Sequence, residues 1–279
     1  MENITSFSGV NIPCIIYGTA WKEDRTAELV TEAITLGFRG IDTACQPKHY
    51  NEAGVGEALQ RLALEGIKRE SLFIQTKFTP VGGHDPQSIP YDQNAPLAQQ
   101  VIQSFEVSKK NLKLNYVDSL ILHSPLANID QLRSVWQSME SIYARQETKL
   151  LGISNCYDLE LLKTLYHHAS IKPAIVQNRF YRQTHYDKNL RKWCKEKNMI
   201  YQSFWTLTAN PHILNHDLVK KIAEEYKKTE AQIFFRFLTQ IGIVPLIGAC
   251  SQVHMKQDLD IFNFNLSQSM IEELESLLV

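Results

Sequence analysis

Four side chains in this sequence have the chemistry needed to protonate a carbonyl oxygen: Asp42, Tyr50, Lys77 and His123. A phenol has an ordinary pKa near ~10, so it donates a proton poorly at neutral pH unless a nearby group stabilises its phenolate. A lysine ammonium does so by Coulomb attraction, and a carboxylate keeps that ammonium charged and aimed. A neutral imidazole can orient the substrate oxygen. The set favours protonation of a carbonyl oxygen while another group attacks the carbon.

Most of these residues end predicted strands, which is where a barrel of parallel strands carries its chemistry. Taken singly, a lysine at a strand end is more often a solvated flank, and a histidine is more often a packed core residue. The combination is what favours a functional site. Three further polar residues end other predicted strands, namely Ser154, Asn155 and Gln177.

Strand-like and helix-like segments alternate along the chain with no break in composition. Apolar residues recur at helical spacing between the strands, as in the helix predicted over 24–36. The predicted strands cover 14–19, 38–42, 72–77, 117–123, 150–155, 174–177, 199–204 and 243–247. No GxGxxG follows the first strand, which disfavours a doubly wound sheet. We therefore predict an α/β protein with one domain over residues 1–279, a (β/α)8 TIM barrel with an N-terminal β-hairpin.

The composition disfavours several classes of protein. The 279-residue chain has a formal net charge of -1, which gives no electrostatic footprint for nucleic acid or an anionic membrane. No apolar stretch is long enough to span a bilayer, and the amino terminus has no signal-peptide pattern. The five cysteines are scattered without a CxxC pair, which fits reduced thiols. We expect a cytoplasmic monomer or weak homodimer that acts on a small molecule.

Six motifs in order resemble those of the aldo-keto reductase family: GFRGIDTA…YNEAGVGEAL, IQTKF, VDSLILHSP, LLGISN, PAIVQN and LIGACSQVHMKQDL. The resemblance covers nearly the whole chain. It implies a barrel that binds NADP(H) in extended form, with the nicotinamide in the barrel mouth, and that reduces aldehydes or ketones by hydride transfer. It also implies that Tyr50 is the general acid, that Lys77 and Asp42 tune it, and that His123 positions the carbonyl.

The resemblance further implies which residues bind the cofactor. Ser154, Asn155 and Gln177 would hydrogen-bond the nicotinamide carboxamide, and Phe204 would stack on its ring, although Phe204 also fits a core position. Trp21 and His123 would line the substrate pocket. The other implied cofactor contacts are Gly18, Thr19, Asp42, Leu207, Gly248, Ala249, Ser251, His254 and Asp258, the last of which would meet the adenine amino group.

Two segments depart from the family pattern. The family usually has its tyrosine five positions after the aspartate, where this chain has Pro47, so the loop must be rebuilt to place Tyr50, its only phenol. His49 is an alternative acid, although a solvated role is commoner for a loop histidine.

Near the carboxyl end, the chain lacks the Lys and Arg with which many relatives hold the 2′-phosphate of the cofactor. We therefore expect weaker selectivity for NADPH over NADH than in those relatives. NADP(H) is the favoured cofactor, and NAD(H) is the alternative.

Loop 80–96 contains four prolines and Gly82–Gly83, and we expect it to cover part of the barrel mouth.

The main alternative to a reductase is a non-catalytic or weakly catalytic nucleotide-sensing regulatory subunit of the same fold. A barrel isomerase or hydrolase is disfavoured because no pair of strand-end carboxylates and no metal-ligand cluster is present. We therefore predict no metal site.

Overall fold

The computed structural model describes residues 2–279, and most of its strands form one closed barrel. The strands are β1 (Asn3–Thr5), β2 (Asn11–Pro13), β3 (Ile16–Gly18), β4 (Gly40–Asp42), β5 (Phe73–Phe78), β6 (Val117–Leu122), β7 (Thr148–Ser154), β8 (Ile175–Arg179), β9 (Ile200–Phe204) and β10 (Ile243–Ile247). β1 and β2 pair as an antiparallel hairpin. β3 to β10 are parallel in chain order, and β10 pairs back with β3 to close the barrel.

Helices follow the barrel strands and surround the barrel. They are α1 (Thr26–Leu36), α2 (Glu52–Leu64), α3 (Leu97–Leu112), α4 (Ile129–Ala144), α5 (Leu159–His168), α6 (Lys188–Glu196), α7 (Pro211–Leu214), α8 (Asp217–Tyr226), α9 (Glu230–Gln240), α10 (Gln252–Leu259) and α11 (Gln268–Glu275). Polar side chains cap several helix starts, as Asn128 does for α4 and Asp158 for α5. Gly37, with φ 130°, ends α1. Within residues 2–279, no helix has the length and apolar character needed to cross a membrane.

The predicted fold class is confirmed, because eight parallel strands close into an α/β barrel behind an N-terminal hairpin. The strands are shorter than predicted at several ends. The strand predicted over 14–19 is ordered as Ile16–Gly18, and the strand predicted over 38–42 as Gly40–Asp42. The prediction was too long because the apolar pattern in the sequence extends beyond the residues that pair with neighbouring strands. Only the paired residues form the barrel wall.

The buried apolar side chains form two groups. The larger group lies between the strands and the surrounding helices. Most members of the smaller group lie at or near the amino ends of the barrel strands, Ile121 lies near the carboxyl end of β6, and Ile12 comes from the hairpin. Its members are Ile12, Ile16, Phe73, Ile121, Leu150, Ala174, Ile175, Ile200 and Val244. This apolar plug closes one end of the barrel and leaves the carboxyl ends of the strands for polar residues.

Candidate active site

A cavity of about 990 Å³ opens at the carboxyl ends of the barrel strands. These ends converge in a parallel barrel, so residues far apart in the chain meet there. Its walls include Gly18, Trp21, Asp42, His49, Tyr50, His123, Ser154, Asn155, Gln177 and Phe204. The cavity therefore collects most of the side chains that the sequence analysis singled out.

Asp42 and Lys77 form a fully buried ion pair beside this cavity. Lys77 Nζ lies 2.6 Å from Asp42 Oδ2 and also donates to the Thr43 carbonyl at 2.8 Å. The other carboxylate oxygen of Asp42 accepts from Gln75 Nε2 at 2.7 Å and from Gln177 Nε2 at 3.0 Å. Burial lowers the pKa of Lys77, and the attraction of Asp42 opposes that shift. These bonds hold the ammonium and the carboxylate in one arrangement.

Tyr50 lies next to this ion pair. Lys77 Nζ is 4.9 Å from the centroid of the Tyr50 ring. Burial and the negative charge of Asp42 raise the pKa of Tyr50 above its ordinary value. From the sequence we expected the ammonium to lower the pKa of Tyr50; in the resting site the ammonium is engaged by Asp42 and the Thr43 carbonyl, and burial raises the pKa of the phenol instead. The phenol is therefore protonated at neutral pH, which is the form a proton donor needs.

The loop that carries Tyr50 forms a single turn. The Gln46 carbonyl accepts from the backbone amides of His49 and Tyr50, each at 3.0 Å. Asn51 is the N-cap of α2, and its side chain accepts from the Gly54 amide at 2.9 Å. The extra residues between Asp42 and Asn51 are therefore taken up in a coil that directs Tyr50 into the cavity.

His49 is not the solvated loop histidine that is commonest at such positions. Its ring packs on Trp21 with 3.9 Å between ring centroids, and both residues line the cavity. Burial lowers the pKa of His49, and the nearby charge of Lys48 adds to the effect. His49 is therefore a neutral wall residue of the cavity, whereas Trp21 remains 59% exposed at the rim.

His123 lies across from Tyr50, with 6.0 Å between the two ring centroids. Its Nδ1 atom is 2.7 Å from Thr79 Oγ1, and its backbone carbonyl accepts from Asn155 Nδ2 at 2.8 Å. Burial lowers the pKa of His123 well below its usual range, and the positive charge of Lys77 adds to that effect. The imidazole is therefore neutral, which is the form expected of a group that orients a substrate oxygen.

Most of the residues expected to contact a dinucleotide line the same cavity. They are Gly18, Asp42, Ser154, Asn155, Gln177, Phe204, Leu207, Gly248, Ala249, His254 and Asp258. Two expected residues lie outside the lining. Thr19 is fully buried and its hydroxyl donates to the Asp42 carbonyl at 2.9 Å, whereas the Ser251 side chain caps α10.

The sequence analysis did not identify Arg179 and Trp205, which line the cavity, or Lys22, which contacts the lining residue Gly248. Lys22 Nζ donates to the Gly248 carbonyl at 2.5 Å and lies 3.0 Å from Cys250 Sγ, which joins the first and last loops of the barrel mouth. The Arg179 guanidinium lies 4.0 Å from the ring centroid of Trp205, and both line the cavity. Arg179 ends β8, so the strand-end argument could have found it. Nothing in the sequence connects Lys22 to its partners near the other end of the chain.

Loop 80–96 does not line the cavity within the part of the chain that the structure describes, so the expectation that it covers the mouth is wrong. The loop instead packs against Thr79, whose carbonyl accepts from His84 Nε2 at 2.9 Å and from the Tyr91 hydroxyl at 2.7 Å.

Among residues 2–279, no group of three or more His, Cys, Asp or Glu is arranged to hold a metal ion.

Comparison with known proteins points to one family. A model of the aldo/keto reductase family matches residues 15–211. The uncharacterized oxidoreductase YtbE of Bacillus subtilis strain 168 is 30% identical over 277 residues, which is 98% of this chain and 91% of that protein. A glyoxal reductase of the same strain is 28% identical over 278 residues, which is 99% of this chain and 92% of the glyoxal reductase. The crystal structure of an aldo/keto reductase from Brucella melitensis matches with a TM-score of 0.84 and 25% identity, over 99% of both chains.

Proposed function

The chain belongs to the aldo/keto reductase family, and on that premise we propose that it reduces an aldehyde or a ketone to an alcohol with NADP(H) as its cofactor. One observation carries the proposal: a protonated Tyr50, a neutral His123 and the buried Asp42–Lys77 pair meet at one cavity. A proton donor, an orienting group and a fixed ammonium are what the reduction of a carbonyl group requires from the protein.

The cavity residues fit the nicotinamide end of such a cofactor. The ring of Phe204 is half-buried and faces the cavity at the end of β9 rather than belonging to the core. The amide nitrogens of Asn155 and Gln177 already donate within the protein, to the His123 carbonyl and to Asp42. Asn155 Oδ1 accepts from the Tyr157 hydroxyl at 3.3 Å and keeps a second lone pair, and both amide oxygens are acceptors that a carboxamide N–H requires. This arrangement supports the binding of a nicotinamide against Phe204.

The proposed reaction divides between the cofactor and this chain's own residues. NADPH, when bound, supplies the hydride that the carbonyl carbon accepts. Tyr50 donates its phenolic proton to the carbonyl oxygen, and the imidazole of His123 holds that oxygen by a hydrogen bond. The phenolate left on Tyr50 is stabilised by the Lys77 ammonium, 4.9 Å from the ring. Asp42 keeps this ammonium charged and in place.

Residues 248–258 bear on the choice between NADPH and NADH. Lys256 is the only lysine or arginine in this segment, and it is exposed on α10. The Lys22 ammonium also reaches this segment, where it donates to the Gly248 carbonyl at 2.5 Å, so a 2′-phosphate there would meet lysine ammonium groups without the bidentate contacts of a guanidinium. We propose NADP(H) as the preferred cofactor and expect NAD(H) to be accepted as well.

The test mixes the purified protein with NADPH and a panel of aldehydes, ketones and sugars. We expect NADPH absorbance to fall with at least one carbonyl compound, and Tyr50→Phe to abolish this fall while NADPH still quenches the fluorescence of the exposed Trp21 and Trp205. Binding of NADPH without turnover of any carbonyl would support a nucleotide-sensing protein instead. Binding of neither NADPH nor NADH would overturn the proposal.

A further inference from the structure

Thr79 contacts His123 from the neighbouring barrel strand. Thr79 directly follows β5, and its Oγ1 atom lies 2.7 Å from His123 Nδ1. The strands fix this register, because the His123 amide donates to the Phe78 carbonyl at 2.8 Å. Thr79 is 2% exposed, so solvent does not compete for its hydroxyl. The pairing is therefore a buried hydrogen bond whose direction depends on which imidazole nitrogen carries the proton.

The surroundings of Thr79 determine that direction. Among residues 2–279, His123 Nδ1 is the only side-chain partner of the Thr79 hydroxyl. If Nδ1 carried the proton, the hydroxyl would accept it, and the buried O–H of Thr79 would have no acceptor. If Nδ1 is bare, the hydroxyl donates to it and both groups are satisfied. A buried donor without an acceptor is destabilising, which favours the second arrangement.

Loop 80–96 holds Thr79 in this orientation. The Thr79 carbonyl accepts from both His84 Nε2 and the Tyr91 hydroxyl. On the other side, a Cβ placed on Gly83 would lie 2.7 Å from Thr79 Cγ2, so the loop backbone packs tightly against the methyl group. With the methyl and the carbonyl both confined, the hydroxyl keeps its direction toward His123.

We propose that Thr79 is a positioning residue that holds His123 in the tautomer with its proton on Nε2. This proposal rests on the proposed carbonyl reduction, and it assigns loop 80–96 a supporting role in that reaction. Within residues 2–279, His123 Nε2 has no hydrogen-bond partner, and His123 lines the cavity. The Nε2–H group can then donate to a carbonyl oxygen, alongside the phenol of Tyr50. The opposite tautomer would present a lone pair to that oxygen and repel it.

The direct test is ¹⁵N NMR of the protein labelled at histidine, which reports the protonation of each ring nitrogen without any turnover. His123→Gln identifies the His123 signals by their loss. We expect Nε2 to be protonated and Nδ1 to be bare and hydrogen-bonded at neutral pH. A proton on Nδ1 of His123 would overturn the proposal, whether or not the protein reduces carbonyls.

Two substitutions then separate the hydroxyl from the shape of Thr79. Thr79→Val keeps the branched shape and removes the hydroxyl, whereas Thr79→Ser keeps the hydroxyl and removes the methyl. We expect Thr79→Val to change the Nδ1 signal and to lower kcat/KM for the best carbonyl substrate about tenfold, as the loss of one orienting hydrogen bond implies. Thr79→Ser should retain the wild-type Nδ1 signal and most of the activity.

Other outcomes count against the proposal. Equal losses in Thr79→Val and Thr79→Ser would show that packing, not the hydroxyl, matters. An unchanged His123 spectrum in Thr79→Val would show that the hydroxyl does not select the tautomer. NADPH affinity is measured in parallel and should be the same in all three proteins. If the wild-type protein reduced no carbonyl, the proposed function would fail while the NMR result would still decide the tautomer.

Discussion

At the scale of single residues, His49 and Tyr50 are neighbours in the chain with different surroundings. Tyr50 lies beside Lys77 and Asp42, whereas His49 packs on Trp21. We predict that Tyr50→Phe lowers kcat for carbonyl reduction by about 10²- to 10⁴-fold, as expected for loss of a general acid.

The matched control is His49→Phe, which keeps an aromatic ring against Trp21 and removes the imidazole nitrogens. We expect its kcat to stay within about fivefold of the wild-type value, because a wall contact contributes less than proton transfer. Steady-state kinetics at saturating NADPH measure both variants. If His49→Phe lost activity and Tyr50→Phe kept it, the assignment of the acid would be reversed.

Asp258 is buried in the cavity wall, and burial raises its pKa to about 7. In the unfolded chain this carboxyl titrates near ~3.9, so between these two values the folded protein holds a proton that the unfolded chain has lost. This contribution to stability is complete below about pH 4 and is lost as the pH rises to about 7. At about 1.4 kcal/mol per pH unit, the total is about 4 kcal/mol.

Asp258→Asn removes this titration and leaves a neutral side chain of similar size. We predict that the free energy of unfolding, measured with urea at pH 5 and pH 8, falls less over this range in Asp258→Asn than in the wild-type protein. Near pH 5 the two proteins should differ least, because the wild-type carboxyl is then mostly neutral. Parallel pH dependences would show that Asp258 titrates normally in the folded state.

At the scale of the elements, α2 packs closely against the end of α3 at Gly56. A Cβ at this position would lie 2.1 Å from the Asn111 carbonyl oxygen and 3.0 Å from Leu112 Cα, which are backbone atoms that cannot turn away. We predict that Gly56→Ala lowers the free energy of unfolding by about 1–3 kcal/mol, although alanine is the better helix former. Gly82→Ala is the control, because nothing lies within 4 Å of its added Cβ. Urea unfolding should show the loss for Gly56→Ala alone.

The alternation of strands and helices could be predicted because apolar spacing depends on local geometry. Polar residues at strand ends could also be found, since the barrel topology brings such ends together. The contact of Thr79 with His123 could not, because it depends on how loop 80–96 packs against the Thr79 side chain. The direction of the Tyr50 pKa shift was likewise beyond the sequence, because it depends on burial and on the partners that Lys77 takes.

At the scale of the whole molecule, the two ends of the barrel have separate tasks. Ile12 of the hairpin closes the amino end as part of the inner apolar group, and the candidate site occupies the carboxyl end. Ile12 is fully buried, so we predict that Ile12→Ala lowers the free energy of unfolding by about 2–5 kcal/mol. Leu64→Ala is the control, because that side chain is 91% exposed and its truncation should change stability by less than about 0.5 kcal/mol.

The same Ile12→Ala protein should keep its kcat for carbonyl reduction at temperatures where it is fully folded. The reason is that the strands between the plug and the site are held by backbone hydrogen bonds around a closed barrel, which confines the effect of a cavity to its neighbours. Urea unfolding and NADPH turnover, measured on one preparation at one temperature, test both halves of this prediction. A folded Ile12→Ala protein with reduced kcat would show that packing at the amino end sets the geometry of Tyr50 and His123.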